Sequence, residues 1–513
     1  MAINTWNGSS STDWNTAANW TTTGETDRVP TSADDVIIPD TTGGSINNCE
    51  LSATGGNPKN VHSLKLETDG TLIGNDIEIR VYGEADGTGG TTNGYAVDLD
   101  GIVTGDFNLR IQTDDTTNLD IIPSSGNVKN LTIALGDAAR IAKIQTGGPT
   151  LTGNLTITSG QLSTENNALT VTGACTLNGG TFTGNASTVS HGSLTISSGT
   201  YNASSGTTTL NGTVDVGMRV DGTFNNNDGT FVIDGSITKV QMGSIGGAPT
   251  GFSVNNAPFH HLTINDSINF AWAAGTLFNV EGDLIVAAGQ TLGANNENSG
   301  IKVLGDATLN GTLGNSNLTN DCEFGSLTIA NGGTYSATSG TTTITSKTSD
   351  NYGIKGGGTF THNNGEVKVT GNAFNFPIGA TYYDFTWDTS SEPCILSSTT
   401  LSGGATIDGT QNAGYTAILG TLKINDRGVV PYNATKVFIN NLIIGDNTDS
   451  ANSTNFDMQD SDVFDGDVIV NSILINADGQ LKFGDAHAGN SDALEVRGAF
   501  RSLGGASAVV VAT

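Results

Sequence analysis

Residues 154–216 read NLTITSGQLSTENNALTVTGACTLNGGTFTGNASTVSHGSLTISSGTYNASSGTTTLNGTVDV. Short runs of Val, Ile, Leu and Thr alternate with turns rich in Gly, Asn and Ser, and the strand-like pieces recur about every six to eight residues. In pieces such as NLTI and SLTI, the Leu and the Ile lie two apart, so both point to one side of a β-strand. Three pieces with their turns form a coil of about twenty residues, which predicts a β-solenoid.

The same short strand recurs outside this stretch, for example as SLKL at 63–66, SLTI at 326–329 and NLII at 441–444. Its apolar positions point inward in a solenoid, where each coil buries them against the coils above and below. They are therefore the predicted core residues, of which the clearest are Leu131, Ile133, Leu155, Ile157, Leu194, Ile196, Leu327 and Ile329.

The composition supports an all-β fold. The chain of 513 residues contains 70 Gly but only 14% charged residues, and it shows no sustained period of 3.6 residues. A β-sandwich would also give short strands with frequent turns. The uniform shortness of the strands over hundreds of residues favours an elongated β-solenoid, and among solenoids a right-handed parallel β-helix.

A longer duplication indicates that one block of the repeat, at 193–270, is copied at 326–390. SLTISSGTYNASSGTTTLNG matches SLTIANGGTYSATSGTTTITS, and further on GTFNNNDGTFVIDG matches GTFTHNNGEVKVTG. FHHLTI of the first block stands where the second has YYDFTW. The alignment predicts that Tyr201 and Tyr335 occupy equivalent positions, as do Phe224 and Phe360 in the GTF motifs.

The first forty residues differ from the repeat because they carry Trp6, Trp14 and Trp20 within polar sequence. A solenoid needs a cap at its end, since a terminal coil offers unpaired backbone groups to other chains. The three Trp predict such an aromatic cap. The alternative is an exposed aromatic platform on which carbohydrate stacks.

These patterns divide the chain into four segments. Residues 1–40 form the Trp-rich cap or docking segment, 41–125 a β-rich lead-in, 126–400 the repetitive solenoid, and 401–513 a less regular β-rich region. The last segment contains the apolar run ASAVVVAT, a strand-like sequence that the body or a partner must cover.

The segments TWNGSSSTDWNTAANW, VPTSADDVIIP, GTFTHNNGEVKVTG and FHHLTINDS resemble sequences of large β-helical surface and virion proteins of bacteria and tailed phages. The resemblance implies a fibre, spike or head-surface appendage that contacts other virion proteins and can meet a host surface glycan. The apolar and Trp-bearing ends of the solenoid need partners that cover them, so self-association is expected, most simply as a homotrimer. The N-terminus shows no basic segment followed by an apolar run, so no secretory signal is expected. That favours a virion protein released by lysis over a bacterial adhesin, and a polysaccharide-degrading tail spike is a third alternative.

Charge and cysteine content exclude several other classes. The formal net charge of −30 repels nucleic-acid phosphates, and no stretch approaches the roughly 20 apolar residues of a membrane span. The four cysteines, Cys49, Cys175, Cys322 and Cys394, lie far apart and are predicted to be single buried thiols rather than metal ligands or disulfides.

No catalytic site is predicted. Acid pairs are expected by chance among 50 acidic residues, and no GxSxG motif anchors a nucleophile. His260 and His261 are expected to point to opposite faces of a strand, which disfavours a shared metal. No cofactor is expected apart from calcium. An acidic stretch offers weak calcium ligand candidates, although a solvated loop is the favoured interpretation of this stretch. The candidates are Asp446, Asp449, Asp457, Asp460, Asp462, Asp465 and Asp467.

Overall fold

The computed structural model describes residues 1–84, 94–121, 128–146, 148–242, 259–271, 277–294, 299–371, 375–378, 381–388, 394–400, 405–407, 410–412, 415–425, 428–431, 436–446, 454–457, 467–483, 493–503 and 509–511. The chain divides into two compact units, residues 1–253 and residues 254–513. Among the described residues both units consist of β-strands, and the one helical element is a 3₁₀ turn at Ala17–Asn19. The all-β prediction is confirmed.

The strands of the first unit are β1 (Ala2–Trp6), β2 (Trp20–Thr22), β3 (Asp34–Ile38), β4 (Cys49–Glu50), β5 (Lys59–Val61), β6 (Ser63–Leu66), β7 (Thr71–Ile73), β8 (Glu78–Val81), β9 (Tyr95–Leu99), β10 (Ile102–Thr104), β11 (Phe107–Ile111), β12 (Thr117–Ile121), β13 (Val128–Ala134), β14 (Ile141–Thr146), β15 (Thr150–Leu151), β16 (Leu155–Ser159), β17 (Gln161–Ser163), β18 (Leu169–Thr183), β19 (Thr188–Asn202), β20 (Thr207–Leu210), β21 (Val214–Val220), β22 (Thr223–Asn225), β23 (Thr230–Ile233) and β24 (Ile237–Met242).

The strands of the second unit are β25 (His261–Ile264), β26 (Ile268–Ala271), β27 (Leu277–Val280), β28 (Leu284–Val286), β29 (Thr291–Ala294), β30 (Gly300–Leu309), β31 (Thr312–Leu313), β32 (Cys322–Ile329), β33 (Thr334–Ser336), β34 (Thr341–Ile344), β35 (Ile354–Lys355), β36 (Thr359–Thr361), β37 (Glu366–Val369), β38 (Asn375–Ile378), β39 (Thr381–Tyr382), β40 (Asp384–Trp387), β41 (Cys394–Thr400), β42 (Ala405–Ile407), β43 (Thr410–Asn412), β44 (Tyr415–Ile424), β45 (Gly428–Pro431), β46 (Lys436–Ile444), β47 (Thr454–Asp457), β48 (Asp467–Ile475), β49 (Gly479–Phe483), β50 (Ala493–Val496), β51 (Phe500–Ser502) and β52 (Val509–Val511).

Successive coils of the first unit pair in parallel. Leu131 pairs with Leu155, Leu155 with Cys175, Cys175 with Leu194, and Leu194 with Met218. These steps of 24, 20, 19 and 24 residues are close to the predicted coil of about twenty. All five side chains are fully buried, so one apolar column crosses five coils. The predicted parallel β-solenoid is confirmed, whereas the right-handed sense of the coil stays a prediction.

The second unit has the same organisation. Leu262 pairs with Leu284, Leu284 with Ala307, Ala307 with Leu327, and Leu327 with Ile354, all in parallel. Each of these side chains is at most 1% exposed. The eight core residues named from the sequence are all fully buried: Leu131, Ile133, Leu155, Ile157, Leu194, Ile196, Leu327 and Ile329.

Two glycines mark a corner where the chain turns from one face of the coil to the next. Gly180 and Gly199 lie within the long strands β18 and β19 and adopt φ of +61° and +88°. A Cβ at Gly199 would collide with the carbonyl oxygen of Gly180, and a Cβ at Gly180 with that of Gly160. The left-handed backbone and the close carbonyl both require glycine, which is how a 15-residue strand bends around a coil.

The aligned aromatic residues of the two sequence blocks occupy the same place in their coils. Tyr201 pairs with Phe224 of the next coil, with ring centroids 5.7 Å apart, and Tyr335 pairs with Phe360 at 5.8 Å. Tyr201 and Tyr335 are fully buried, Phe224 is 5% exposed and Phe360 is partly buried. All four face inward, as the alignment predicts.

Equivalent asparagines also fasten the turns of the two blocks. Asn227 and Asn363 adopt left-handed φ of +49° and +46°, a conformation that Asn tolerates better than most residues. The Nδ2 of Asn227 donates to the carbonyl oxygen of Ala203 at 2.9 Å, and that of Asn363 donates to Ala337 at 2.7 Å. In each block the turn is therefore held to the preceding coil.

A charge placed in the apolar column should prevent folding, whereas a charge on the outward face of the same strand should not. We expect Leu194→Asp and Leu327→Asp to cost several kcal/mol, because each carboxylate would be buried between coils without a partner. Thr195→Asp is the matched control, since Thr195 points outward beside Arg219 of the next coil. Thermal unfolding followed by far-ultraviolet circular dichroism measures both, and equal tolerance at the two kinds of position would contradict the fold.

A histidine occupies one core position of the first unit. His191 is fully buried between Val171 and Leu210 of the neighbouring coils, and its Nε2 lies 2.8 Å from the Tyr201 hydroxyl. The imidazole also makes an edge contact with Phe182. Burial lowers the pKa of His191 from 6.5 to about 3, because the charged ring would lose its hydration.

His191 should make the first unit sensitive to acid. Below pH 6.5 the unfolded chain binds a proton at this residue and the folded chain does not, so stability falls as pH drops from 6.5 towards 3. The slope is about 1.4 kcal/mol per pH unit from this residue alone. Urea unfolding of the wild type and of His191→Leu over pH 7 to 4 measures it. As pH falls, the wild type should lose stability relative to His191→Leu, and parallel curves would count against a buried neutral histidine.

Candidate functional site

The N-terminal segment closes the edge of the first coil. β1 pairs in parallel with β3 on one side and in antiparallel with β2 on the other, through Trp6 and Trp20 among other pairs. An antiparallel strand cannot continue the coil-on-coil stacking, so it covers the edge that another chain could otherwise extend. The predicted cap is present.

The three tryptophans form the core of this cap. Trp6, Trp14 and Trp20 are at most 1% exposed, and the ring of Trp20 makes edge contacts with the other two at 5.0 and 4.8 Å. Trp6 Nε1 donates to the carbonyl oxygen of Asn47 and Trp20 Nε1 donates to that of Trp14, each at 2.7 Å. Buried rings cannot stack on a sugar, so the carbohydrate-platform alternative is wrong for these residues.

A buried lysine joins the cap to the coils. Lys59 is 4% exposed, and its Nζ donates to Asn15 Oδ1 at 2.9 Å and to the Thr54 carbonyl oxygen at 3.0 Å. Burial lowers the pKa of Lys59, although the nearby Asp13 carboxylate opposes that shift. The cap is thus held by polar contacts as well as by aromatic packing.

Outward positions of the coils carry polar ladders. Asn130 Nδ2 donates to Asn108 Oδ1 of the preceding coil at 2.7 Å, and Asn225 Nδ2 donates to Asn202 Oδ1 at the same distance. Threonines form another outward row, with members that pair from coil to coil: Thr132, Thr156, Thr176 and Thr195. These ladders present hydrogen-bonding groups at the spacing of neighbouring strands, about 4.8 Å. Such a regular surface is suited to contacts with other molecules.

One serine, histidine and aspartate come together in the first unit. Ser63 Oγ donates to Asp35 Oδ1 at 2.7 Å, and His62 Nδ1 lies 2.9 Å from the same oxygen. A nucleophilic serine needs a base that accepts its proton, normally the histidine. Here the serine and the histidine both bind the carboxylate, so this group serves to fasten β3 to β6.

The expected arrangement of His260 and His261 is wrong. Their rings are in edge contact, with centroids 4.4 Å apart, instead of pointing to opposite faces. The reason is that β25 begins at His261, so the alternation of a strand does not extend to His260. Each ring lies beside a carboxylate, His260 Nδ1 at 3.8 Å from Glu281 and His261 Nδ1 at 3.5 Å from Asp283.

Among the seven calcium candidates of the acidic stretch, only Asp446 has a described side chain. Asp446 is exposed, and its backbone N–H donates to Asp478 Oδ2 at 3.2 Å. Asp457 and Asp467 lie in β47 and β48, where only the backbone is described, and the remaining candidates, Asp449, Asp460, Asp462 and Asp465, lie outside the described residues. The calcium hypothesis for this stretch stays a prediction.

The cysteine prediction is confirmed for three of the four residues. Cys49, Cys175 and Cys322 are buried free thiols. Burial raises the pKa of each, to about 12 for Cys322, so the thiols are neutral and unreactive. The side chain of Cys394 lies outside the described residues.

A carboxylate cluster in the first unit was missed from the sequence. Asp98, Asp100 and Asp120 each bring a carboxylate oxygen within 4.8 Å of the others. Burial raises the pKa of Asp98 to about 6, and the charge of Asp100 adds to the shift. The DLD motif at 98–100 was the available signal, but only the coil register shows that Asp120 joins it.

A cavity of about 390 Å³ opens on the second unit, lined by Asn315, Ser316, Leu318, Thr319, Ser336, Ala337, Ser339 and Asn363. Its walls offer amide and hydroxyl groups for hydrogen bonds. Glycoside hydrolysis uses a pair of carboxyl groups flanking the bond that breaks. No carboxyl group is among these lining residues, so the cavity is suited to binding a polar group rather than to acid–base hydrolysis.

A comparison with protein-family models, curated proteins and solved structures finds no match to this chain. In the part of the chain that the structure describes, no helix has the length and apolar character needed to cross a membrane. The functional argument therefore rests on the fold and on the residues described above.

The cap should suppress edge-to-edge association. We expect Trp20→Ala to loosen β2 and leave the edge of β1 open, so that the variant forms insoluble, thioflavin-binding aggregates. Trp387→Ala is the matched control, since Trp387 is an equally buried tryptophan of the second unit that has no part in the cap. Light scattering below the unfolding temperature compares them, and equal aggregation of both variants would show that the loss of a buried ring, not of the cap, is responsible.

Proposed function

We propose that this chain is a structural protein of a tailed-phage virion, a fibre, spike or head-surface appendage that acts as a rigid scaffold and interaction surface. The observation that carries the proposal is the parallel coil register within each unit, which makes both units β-helical solenoids. Such a scaffold is well suited to fibre-like and spike-like proteins. The resemblance of the Trp-rich and GTF segments to virion and surface proteins supports the phage assignment.

Rigidity follows from the way in which coils stack. Each inner strand of a coil pairs with strands above and below, and each coil buries its apolar residues against both neighbours. The outward ladders add hydrogen bonds between coils, such as that from Asn471 Nδ2 to Asn440 Oδ1 at 2.9 Å. A surface fixed in this way keeps its polar groups at regular spacing when it meets a partner.

The last described coil of the second unit supports a contact with a further chain. β50 and β51 pair with β48 on one side, and in the described part of the unit no strand covers their other side. Phe500 and Leu503 there are 48% and 51% exposed. Exposed apolar residues at an open edge are suited to an interface, and we propose that they join copies of the chain, as a homotrimer, or join the chain to other virion proteins.

Purified virions provide the test. Quantitative mass spectrometry of virions that encode the chain should find it at a fixed copy number that is a multiple of three, and sedimentation of the recombinant protein should give the trimer mass. A monomeric mass in sedimentation would contradict the proposed trimer. Recovery of the chain from the bacterial envelope and not from virions would favour the adhesin alternative, and release of reducing ends from host polysaccharide would favour the depolymerase.

A further inference from the structure

The cluster stands on the outer face of two successive coils in the first unit, with Asp98 and Asp100 in one coil and Asp120 in the next. β9 pairs with β6 and with β12, so Lys65 lies opposite Asp98 on one side and Asp120 opposite Asp98 on the other. Val97 and Leu99, which flank Asp98, are fully buried in the core. By strand alternation Asp98 points outward, and the register places Asp120 directly against it.

Asp98 is buried although it points outward. The residue is 9% exposed, and its Oδ1 is inaccessible to solvent with no hydrogen-bond donor among the described residues. Its Oδ2 lies 3.9 Å from Lys65 Nζ, longer than a hydrogen bond. A buried carboxylate oxygen without a donor is costly, so its position requires a partner.

The turn after β9 adds a third carboxylate. The backbone N–H of Asp100 donates to the carbonyl oxygen of Leu66 in the preceding coil at 2.9 Å, which fixes the turn. Asp100 is exposed and therefore keeps an open side towards solvent. One oxygen from each of the three aspartates lies within 4.8 Å of the others.

The chemistry of this donor set suits a hard cation. Calcium binds carboxylate oxygens at about 2.3–2.6 Å, so two ligands on opposite sides of the ion are separated by up to about 5 Å. Magnesium needs a tighter octahedron at about 2.1 Å, and zinc prefers nitrogen and sulfur ligands, which this cluster does not offer. Water can complete the shell on the open side at Asp100.

The nearby charges favour a cation as well. Asp120 stands directly opposite Asp98 on one neighbouring strand, and on the other Lys65 brings its Nζ only to 3.9 Å from Asp98 Oδ2. Like charges directly opposite each other on neighbouring strands destabilise a sheet. The ammonium group of Lys65 does not reach Asp98 Oδ1, which leaves that oxygen in position to bind a cation.

The geometry points to a Ca²⁺ site formed by Asp98, Asp100 and Asp120, which binds the ion on the outer face of the first unit and fastens the coil of β9 to the coil of β12. Asp98 Oδ1 supplies the buried ligand, Asp120 supplies the ligand from the next coil, and Asp100 closes the site from the turn. The site is independent of the proposed virion role, because it requires only this local coil register.

Calcium titration of the chelator-stripped full-length protein tests the site. Calcium should raise the thermal midpoint of the wild type and bind in isothermal titration calorimetry, whereas Asp98→Asn should bind at least tenfold more weakly. Asp234→Asn removes one charge from an exposed position of the same unit and should respond as the wild type does. Equal calcium responses of Asp98→Asn and Asp234→Asn would overturn the proposal, as would the absence of a wild-type response.

Further variants separate a built site from a fortuitous acidic cluster. Asp100→Asn, at an exposed position where folding is not at risk, should also weaken calcium binding by at least tenfold. Lys65→Met should strengthen it, because the competing ammonium group is removed. In chelator, Asp98→Asn should unfold at a higher temperature than the wild type, since the repulsion is relieved, and the order should reverse in calcium. An unchanged order in calcium would contradict the site, and equally tight binding of magnesium would exclude the calcium assignment.

Terbium luminescence reports ion binding directly and does not depend on a change in thermal stability. Tyr95 begins β9, three residues or roughly 10 Å before Asp98, and pairs with Asn118 of the strand that carries Asp120, so its ring lies close enough to transfer excitation to a lanthanide in the site. Terbium emission excited through tyrosine should fall on addition of calcium and should be lost in Asp98→Asn. Tyr95→Phe should reduce the emission while it leaves calcium affinity within about twofold. Terbium emission that persists after calcium is added, or that persists in Asp98→Asn, would count against the site.

Discussion

The parallel register between coils is the constraint on which every other feature of this molecule depends. Neighbouring strands lie about 4.8 Å apart, so a residue in one coil stands directly opposite its counterpart in the next. Like residues therefore stack on like residues. Three leucines, a cysteine and a methionine build the apolar column from Leu131 to Met218. Aromatic rings follow one another at Phe182, Tyr201 and Phe224, with centroids 4.7 and 5.7 Å apart.

This constraint has opposite consequences for different polar side chains. An amide both donates and accepts, so Asn130 can bind Asn108 and a ladder of asparagines stabilises the stack. An ionised carboxylate only accepts, so a pair such as Asp98 and Asp120 repels when the register brings the two together. Burial raises the pKa of Asp98 to about 6, and the charge of Asp100 adds to the shift. In the proposed calcium site, the ion would offset the repulsion that the coil register creates between these two carboxylates.

The sequence predicted the features that follow from the spacing of the repeat along the chain. It could not predict those that depend on which residues of neighbouring coils stand opposite each other. The Leu and Ile of the LTI strands, and the equivalence of Tyr201 and Tyr335, follow from a repeat visible in one dimension. The acidic cluster does not, because Asp98 pairs with Lys65 across 33 residues and with Asp120 across only 22. Turns of variable length decide those distances, and a strand boundary likewise decided the contact between the His260 and His261 rings.

The outward positions can change at little cost to the fold. In a solenoid the stability of a coil comes from its own packing and from its two neighbours, so a polar change on the outer face leaves the core intact. Val97 and Leu99 hold β9 in the core whatever stands between them, which leaves position 98 free to hold a buried carboxylate. The first coil of the first unit is less free to vary, because it has a neighbouring coil on one side only. The tryptophan cap supplies the missing neighbour, and the outer face can then vary from coil to coil while the scaffold stays the same.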